Sequence, residues 1–163
     1  PVIFESKKKS TNDFEKNVKH LYTIVIYLSL VFSLAVTIFA RVIVMILYGK
    51  DYMPAITALR IVVWYTTFSY LGSVRNIWIL AENQQKFLWI INLMGAILNV
   101  ILNFVLIPII RINGAALASL ITQIFTNVIV GYVIKPIRKN NYLMMESLNP
   151  KIFVAIIKNL KNK

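Results

Sequence analysis

The sequence predicts an all-α integral membrane protein with four transmembrane helices, and three observations support this prediction. Hydrophobic residues make up 58% of the 163 residues, and the mean hydropathy is +0.70, well above that of an ordinary soluble domain. The apolar runs reach the roughly 20 residues that a helix needs to cross a bilayer. No segment shows the strict apolar–polar alternation of a half-buried strand.

The first predicted span covers residues 21–48 and follows a polar, basic segment, residues 1–20. Ser10 and Asn12 precede Asp13, which is the pattern of a helix N-terminus with acid in its first turn. Arg41 interrupts the apolar run after the first part has already reached spanning length. We therefore expect residues 42–48 either to continue into the far interface or to bend there.

The second predicted span covers residues 55–81. Gly49 and Pro54 mark the turn before it, and proline suits the first turn of a helix. This span carries two intramembrane arginines, Arg60 and Arg75, and a polar turn at residues 82–86 ends it.

The third and fourth predicted spans, residues 87–110 and 115–134, form a helical hairpin. The run from Phe87 to Ile110 contains no charged side chain. Pro108, Arg111 and Gly114 break the apolar pattern between the two spans and turn the chain.

Small and polar residues recur every three or four positions on both helices of the hairpin, so they share one face of each helix. We expect these faces to pack, because helices in lipid associate through small residues and interhelical hydrogen bonds. The alternative is a polar wall that lines a transport path. The predicted packing residues are Gly95, Asn99, Asn103, Ala115, Ser119 and Thr122.

Basic residues concentrate in the N-terminal segment, the 82–86 turn and the C-terminal tail, whereas the other two turns hold only Lys50 and Arg111. The positive-inside rule then places both termini in the cytoplasm. In the tail, residues 136–163, Asn149 and Pro150 open an amphipathic pattern with lysines on one face. We expect a helix that lies on anionic phospholipids, the alternative being a frayed basic tail.

Other classes of function find little support in the composition. The net charge is +12, but the basic residues flank apolar runs, which is typical of topology signals and not of nucleic-acid binding. The sequence has no cysteine, no metal-ligand spacing and no paired carboxylates, so we expect no metal, no cofactor and no enzymatic activity. Because the chain opens on Pro1, we expect it to be the C-terminal piece of a longer protein.

Three segments, ILYGKDYMPAITALRIVVW, IWILAENQQKF and GAILNVILNFVLIPIIRINGAALASLITQI, resemble the C-terminal part of polysaccharide flippases of the O-antigen type. The resemblance implies the last four of about twelve helices, in the second of two six-helix bundles, in the bacterial cytoplasmic membrane. It also implies translocation of an undecaprenyl-pyrophosphate-linked oligosaccharide. The alternatives are a cation-coupled multidrug exporter of the same superfamily and the non-catalytic portion of a membrane polysaccharide polymerase.

Three arginines are the candidates for contact with this anionic substrate: Arg41, Arg60 and Arg75. A charged side chain at the centre of a bilayer costs at least ~2.5 kcal/mol, so each arginine needs a physical reason. The alternative to substrate contact is snorkelling, in which the long side chain carries its charge to the nearer interface.

Overall fold

The computed structural model describes residue 7 and residues 10–161. The structure is 91% helical, and the described part contains no strand, which confirms the predicted all-α class. Most of the basic segment before Ser10, namely residues 1–6, 8 and 9, lies outside the described residues, as do residues 162 and 163.

The first helix, α1, runs without interruption over Thr11–Tyr48, 38 residues or ~57 Å. Its predicted N-terminus is confirmed, because Ser10 Oγ accepts a hydrogen bond from the Asn12 amide at 3.2 Å. Arg41 does not interrupt the helix, which ends only at Gly49. The φ angle of Gly49 is 83°, a conformation in which glycine carries no steric penalty.

Three further long helices follow: α2 (Ala55–Ala81), α3 (Lys86–Ile110) and α4 (Ile112–Val133). The turn between α3 and α4 is tighter than the predicted 111–114 loop, since α4 begins at Ile112. Arg111 adopts a φ of 50° there, and Gly114 lies so close to the Leu106 carbonyl that a Cβ would not fit. The hairpin therefore depends on a residue without a side chain at position 114.

Three helices, α1, α3 and α4, are long and apolar enough to cross a membrane. The helix α2 is long enough, at 27 residues or ~40 Å, but it is not among the three. Its two arginines and several hydroxyl side chains lower its hydropathy. A fourth crossing by α2 stays a prediction.

The helix α2 lies between α1 and α4, and α3 packs on the other side of α4. Ten of the 27 residues of α2 are buried, against two of the 25 residues of α3. The long helix that falls outside the three apolar candidates is thus well shielded by its neighbours. This arrangement is what a bilayer requires, because polar side chains on a lipid-facing surface are costly.

The chain folds back after α4 in a way that the sequence analysis did not predict. A short 3₁₀ segment, Lys135–Ile137, leads into α5 (Arg138–Glu146), whose inner face is buried against α1 and α4. The Tyr22 hydroxyl donates to Asn140 Oδ1 at 3.0 Å, and Asn141 Nδ2 donates to the Val128 carbonyl at 2.6 Å. The first part of the predicted tail is therefore part of the packed fold.

The predicted amphipathic helix is present as α6 (Pro150–Lys161). The Asn149 side chain accepts from the Lys151 amide at 3.0 Å, as expected of an N-cap. The Phe153 ring stacks on Tyr27 of α1 with 4.2 Å between the centroids, so the helix is anchored to the bundle.

Three ion pairs join the N-terminal segment, the 82–86 turn and the C-terminal tail: Lys7–Glu82, Lys19–Glu146, and Lys139–Glu15 at 2.6 Å. These are the three segments that the distribution of basic residues assigns to one side of the membrane. The structure brings them together at one end of the bundle. That this end is cytoplasmic stays a prediction.

The topology can be tested with single cysteines, because the natural chain has none. Cysteine at the exposed positions Asp51 and Arg111 should react with a membrane-impermeant thiol reagent in intact cells. Cysteine at Gln85 and Met145, also exposed, should react only after permeabilisation. Labelling of Asp51 and Gln85 from the same side would show that α2 does not cross the membrane.

Candidate functional site

A polar groove of about 350 Å³ opens between α3 and α4, with one edge on α2. Amide, hydroxyl and small side chains dominate its wall, and none of its lining residues is charged. We call it the polar groove. It is lined by Tyr65, Asn92, Gly95, Ala96, Asn99, Ser119, Thr122, Gln123 and Thr126.

The polar groove lies at the depth that hydrocarbon would cover if α3 spans a bilayer. Asn92 lies six residues after Lys86 in α3, and Asn99 lies thirteen residues after it. At 1.5 Å per residue these positions are ~9 and ~20 Å from the start of the helix, within a hydrocarbon core of ~30 Å. Polar surface at this depth faces protein or water, because lipid tails offer no hydrogen bonds.

The two predicted polar faces meet at the floor of the polar groove. Asn99 Nδ2 donates to Thr122 Oγ1 at 3.2 Å. A Cβ on Gly95 would lie 2.7 Å from Thr126 Cγ2, so only glycine permits this approach of the helices. Gly95, Asn99 and Thr122 therefore lie at the contact between α3 and α4, where the sequence places them.

The other predicted packing residues occupy different surroundings. Ala115 lines a separate apolar cleft of about 450 Å³ between α1, α2 and α4, and Ser119 lines both that cleft and the polar groove. Asn103 Nδ2 donates to both the carbonyl and Oδ1 of Asn99 at 2.9 Å. Asn103 thus helps to hold the Asn99 amide in place.

Several polar groups of the groove have hydrogen-bonding capacity to spare. Within the described part of the chain, neither the exposed Asn92 amide nor the Tyr65 hydroxyl forms a hydrogen bond. Gln123 Oε1 accepts from Asn127 Nδ2 at 2.5 Å, which leaves the NH₂ group of Gln123 as a donor. The groove can therefore offer both donors and acceptors to a polar ligand.

Arg75 lies behind the wall of the groove and is only 4% exposed. Its Nη1 donates to the Thr126 carbonyl at 2.5 Å and its Nη2 donates to Asn76 Oδ1 at 3.0 Å. Thr126 belongs to a π-helical turn, Phe125–Ile129, and such turns alter the regular hydrogen-bond pattern of an α-helix. Among the described residues no carboxylate pairs with Arg75, whose Nε also lacks a partner.

The structure does not show Arg75 snorkelling, because the guanidinium is enclosed by α2 and α4. Arg60 and Arg41 are both exposed, and Arg60 Nε donates to the Thr37 carbonyl at 3.2 Å. Along α2, Arg60 and Arg75 are fifteen residues or ~22 Å apart. The three arginines therefore do not form one site, and their contact with a substrate stays a prediction.

Sequence reasoning missed the π-turn and the side chains that it redirects. Asn127 contacts Gly72 of α2 so closely that a Cβ at that position would collide with its amide. A polar signal was present, because Gln123 and Asn127 interrupt an apolar run. The two side chains pair with each other within α4, whereas the contact of Asn127 with Gly72 of α2 depends on tertiary packing. The described residues contain no cluster of three or more His, Cys, Asp or Glu side chains that could hold a metal ion.

Comparisons of the chain with protein-family models, with curated proteins and with solved structures find no match.

The bond from Arg75 to Thr126 predicts a specific sensitivity to lysine. Arg75→Lys keeps the charge but loses the planar fork and adds a more strongly hydrated ammonium to the interior. We expect the variant to lose about 1–3 kcal/mol of stability, the usual range when a buried hydrogen bond is broken. Thermal unfolding of the detergent-solubilised intact protein measures this loss. The matched control is Arg41→Lys, which changes an exposed arginine without a side-chain hydrogen bond among the described residues and should leave the unfolding midpoint unchanged. Equal midpoints for both variants would contradict the structural role of Arg75.

Proposed function

We propose that this chain is part of a transporter in the bacterial cytoplasmic membrane that moves an undecaprenyl-pyrophosphate-linked oligosaccharide to the outer leaflet for O-antigen synthesis. The polar groove is the observation that carries the proposal. It provides uncharged polar surface at membrane depth, and a transporter of a hydrophilic headgroup needs such surface. The resemblance of three segments of the sequence to polysaccharide flippases supports the same function.

The physical problem in this reaction is the passage of a hydrophilic headgroup through hydrocarbon. Each polar group that leaves water without a new partner costs several kcal/mol, roughly 2–7 depending on the reference state. A path of amide and hydroxyl side chains lowers this cost at each step. Asn92, Gln123 and the Tyr65 hydroxyl have capacity for such contacts, since none is fully used within the described residues.

The remaining parts of the transporter lie outside this chain in the proposal. The missing N-terminal helices complete the cavity against the open side of the polar groove, and they supply the cationic contacts to the pyrophosphate. In this proposal Arg75 supports the groove wall and does not bind the pyrophosphate, because two of its three guanidinium nitrogens already have partners in the fold.

The C-terminal helix α6 serves as a contact with anionic phospholipids of the cytoplasmic leaflet. Lys151 and Lys158 are exposed, and Val154 and Ile157 are 50% and 41% exposed next to them. A short helix that exposes both cationic and apolar side chains is typical of an interfacial helix. The stacking of Phe153 on Tyr27 holds α6 against the bundle while these side chains face outward.

The proposal predicts that export depends on the polar side chains of the groove. In a strain whose own flippase is deleted, the intact protein with Asn92→Leu and Gln123→Leu should restore less surface polysaccharide than the unchanged protein. The loss of one hydrogen bond per side chain corresponds to a roughly 2–10-fold slower step. The assay quantifies surface polysaccharide at matched levels of membrane-inserted protein.

Ser73→Leu is the matched control for this experiment. Ser73 is exposed on α2, outside the groove, and its hydroxyl bonds only to the Ser69 carbonyl of its own helix. The control variant should export normally. Full export by the Asn92→Leu, Gln123→Leu double variant would overturn the role of the groove in transport.

A further inference from the structure

We infer that the polar groove binds a neutral sugar unit of the transported glycan and not its charged pyrophosphate. This inference rests on the proposed function and assigns one part of the substrate to one part of the chain. It depends on three properties of the groove: the absence of charge in its wall, its mixture of donors and acceptors, and its size.

The wall of the groove is neutral. None of its nine lining residues is charged, and the nearby Arg75 uses its Nη1 on the carbonyl of Thr126, behind the wall. A phosphate group binds where cationic donors reach its oxygens directly. Burial of an anion among neutral amides leaves its charge uncompensated, which is costly. The groove therefore disfavours the pyrophosphate.

The hydrogen-bonding groups of the wall suit a ligand that is both donor and acceptor. Each of the three amides, on Asn92, Asn99 and Gln123, has an acceptor oxygen and a donor NH₂ group. The Thr122 and Thr126 hydroxyls donate to carbonyls of their own helix at 2.8 and 2.9 Å. The Thr122 oxygen already accepts from Asn99, and the Thr126 oxygen is left to accept from a ligand. The hydroxyl groups of a sugar can do both, whereas an ammonium only donates and a phosphate dianion only accepts.

The dimensions of the groove also fit a sugar. Its volume of about 350 Å³ corresponds to roughly ten water molecules and falls at the lower end of the range for ligand sites. One or two pyranose rings fill such a space. The half-buried ring of Tyr65 at the α2 edge provides an aromatic face. Aromatic faces carry partial negative charge and attract the C–H groups on the apolar face of a pyranose.

The test uses the intact protein in lipid nanodiscs and three probes: a neutral methyl glycoside, glycerol and inorganic pyrophosphate. Saturation-transfer difference NMR reports the contact of each organic probe with the protein, and titration gives the affinity of the glycoside. We expect the glycoside to bind more tightly than glycerol and to keep its signal when excess pyrophosphate is added. Two variants are informative, Asn92→Leu and Tyr65→Phe. Each removes a polar group that has no hydrogen-bond partner among the described residues.

Each variant should weaken binding of the glycoside by roughly 2–10-fold, the effect of one lost hydrogen bond. Ser73→Leu is again the control and should bind normally. The inference would be overturned if the glycoside bound no more tightly than glycerol, or if it bound equally to all variants. A neighbouring helix would then be the occupant of the groove. Displacement of the glycoside by pyrophosphate would also overturn it. This assay measures binding and not transport. If the glycoside fails to bind but the groove variants still impair export, the inference is overturned and the proposed function remains intact.

Discussion

The hydrogen bond from Arg75 to the Thr126 carbonyl is the interaction on which the arrangement of α2, α3 and α4 depends. It joins α2 to the π-turn of α4 at a point where only 4% of the arginine is exposed. A buried guanidinium needs hydrogen-bond partners, and an altered helical turn can supply a carbonyl. Because α4 also holds α3 through Thr122 and Asn99, this bond indirectly fixes the wall of the polar groove.

The same small and polar residues have two roles in the hairpin of α3 and α4. Gly95 lets the two helices approach, and the amide of Asn99 links them. Further out on the same faces, Asn92 and Gln123 diverge from the contact and line open space. Close packing at the floor of the groove and polar surface at its mouth are therefore consequences of one sequence pattern. The two interpretations of that pattern, helix packing and a polar wall, are compatible in this structure.

Much of the fold could be predicted because a bilayer as solvent limits the possibilities. Length and apolarity predicted the bounds of α2 and α3 closely, and the Asn149–Pro150 pair predicted the start of α6. The docking of α5 could not be predicted, because it depends on tertiary contacts. Asn140 bonds to Tyr22, 118 residues earlier in the sequence, and Asn141 bonds to Val128, 13 residues earlier. The burial of Arg75 could not be predicted either, because snorkelling depends on what surrounds a helix. Periodicity identified Gly95 and Asn99 of the groove on α3, but the contributions of Tyr65 and Gln123 required the packing of three helices.

A path for a hydrophilic headgroup requires that the polar groove be open to water at membrane depth, and the proposed function depends on this property. Single cysteines at Asn92 and at Leu93 test it most directly, because these neighbours in α3 face different surroundings and the chain has no other cysteine. Leu93 is 63% exposed and does not line the groove. In the intact protein in nanodiscs, Asn92→Cys should react with a small charged thiol reagent, and Leu93→Cys should remain unmodified. Equal rates for the two cysteines, or no reaction at Asn92→Cys, would contradict this account.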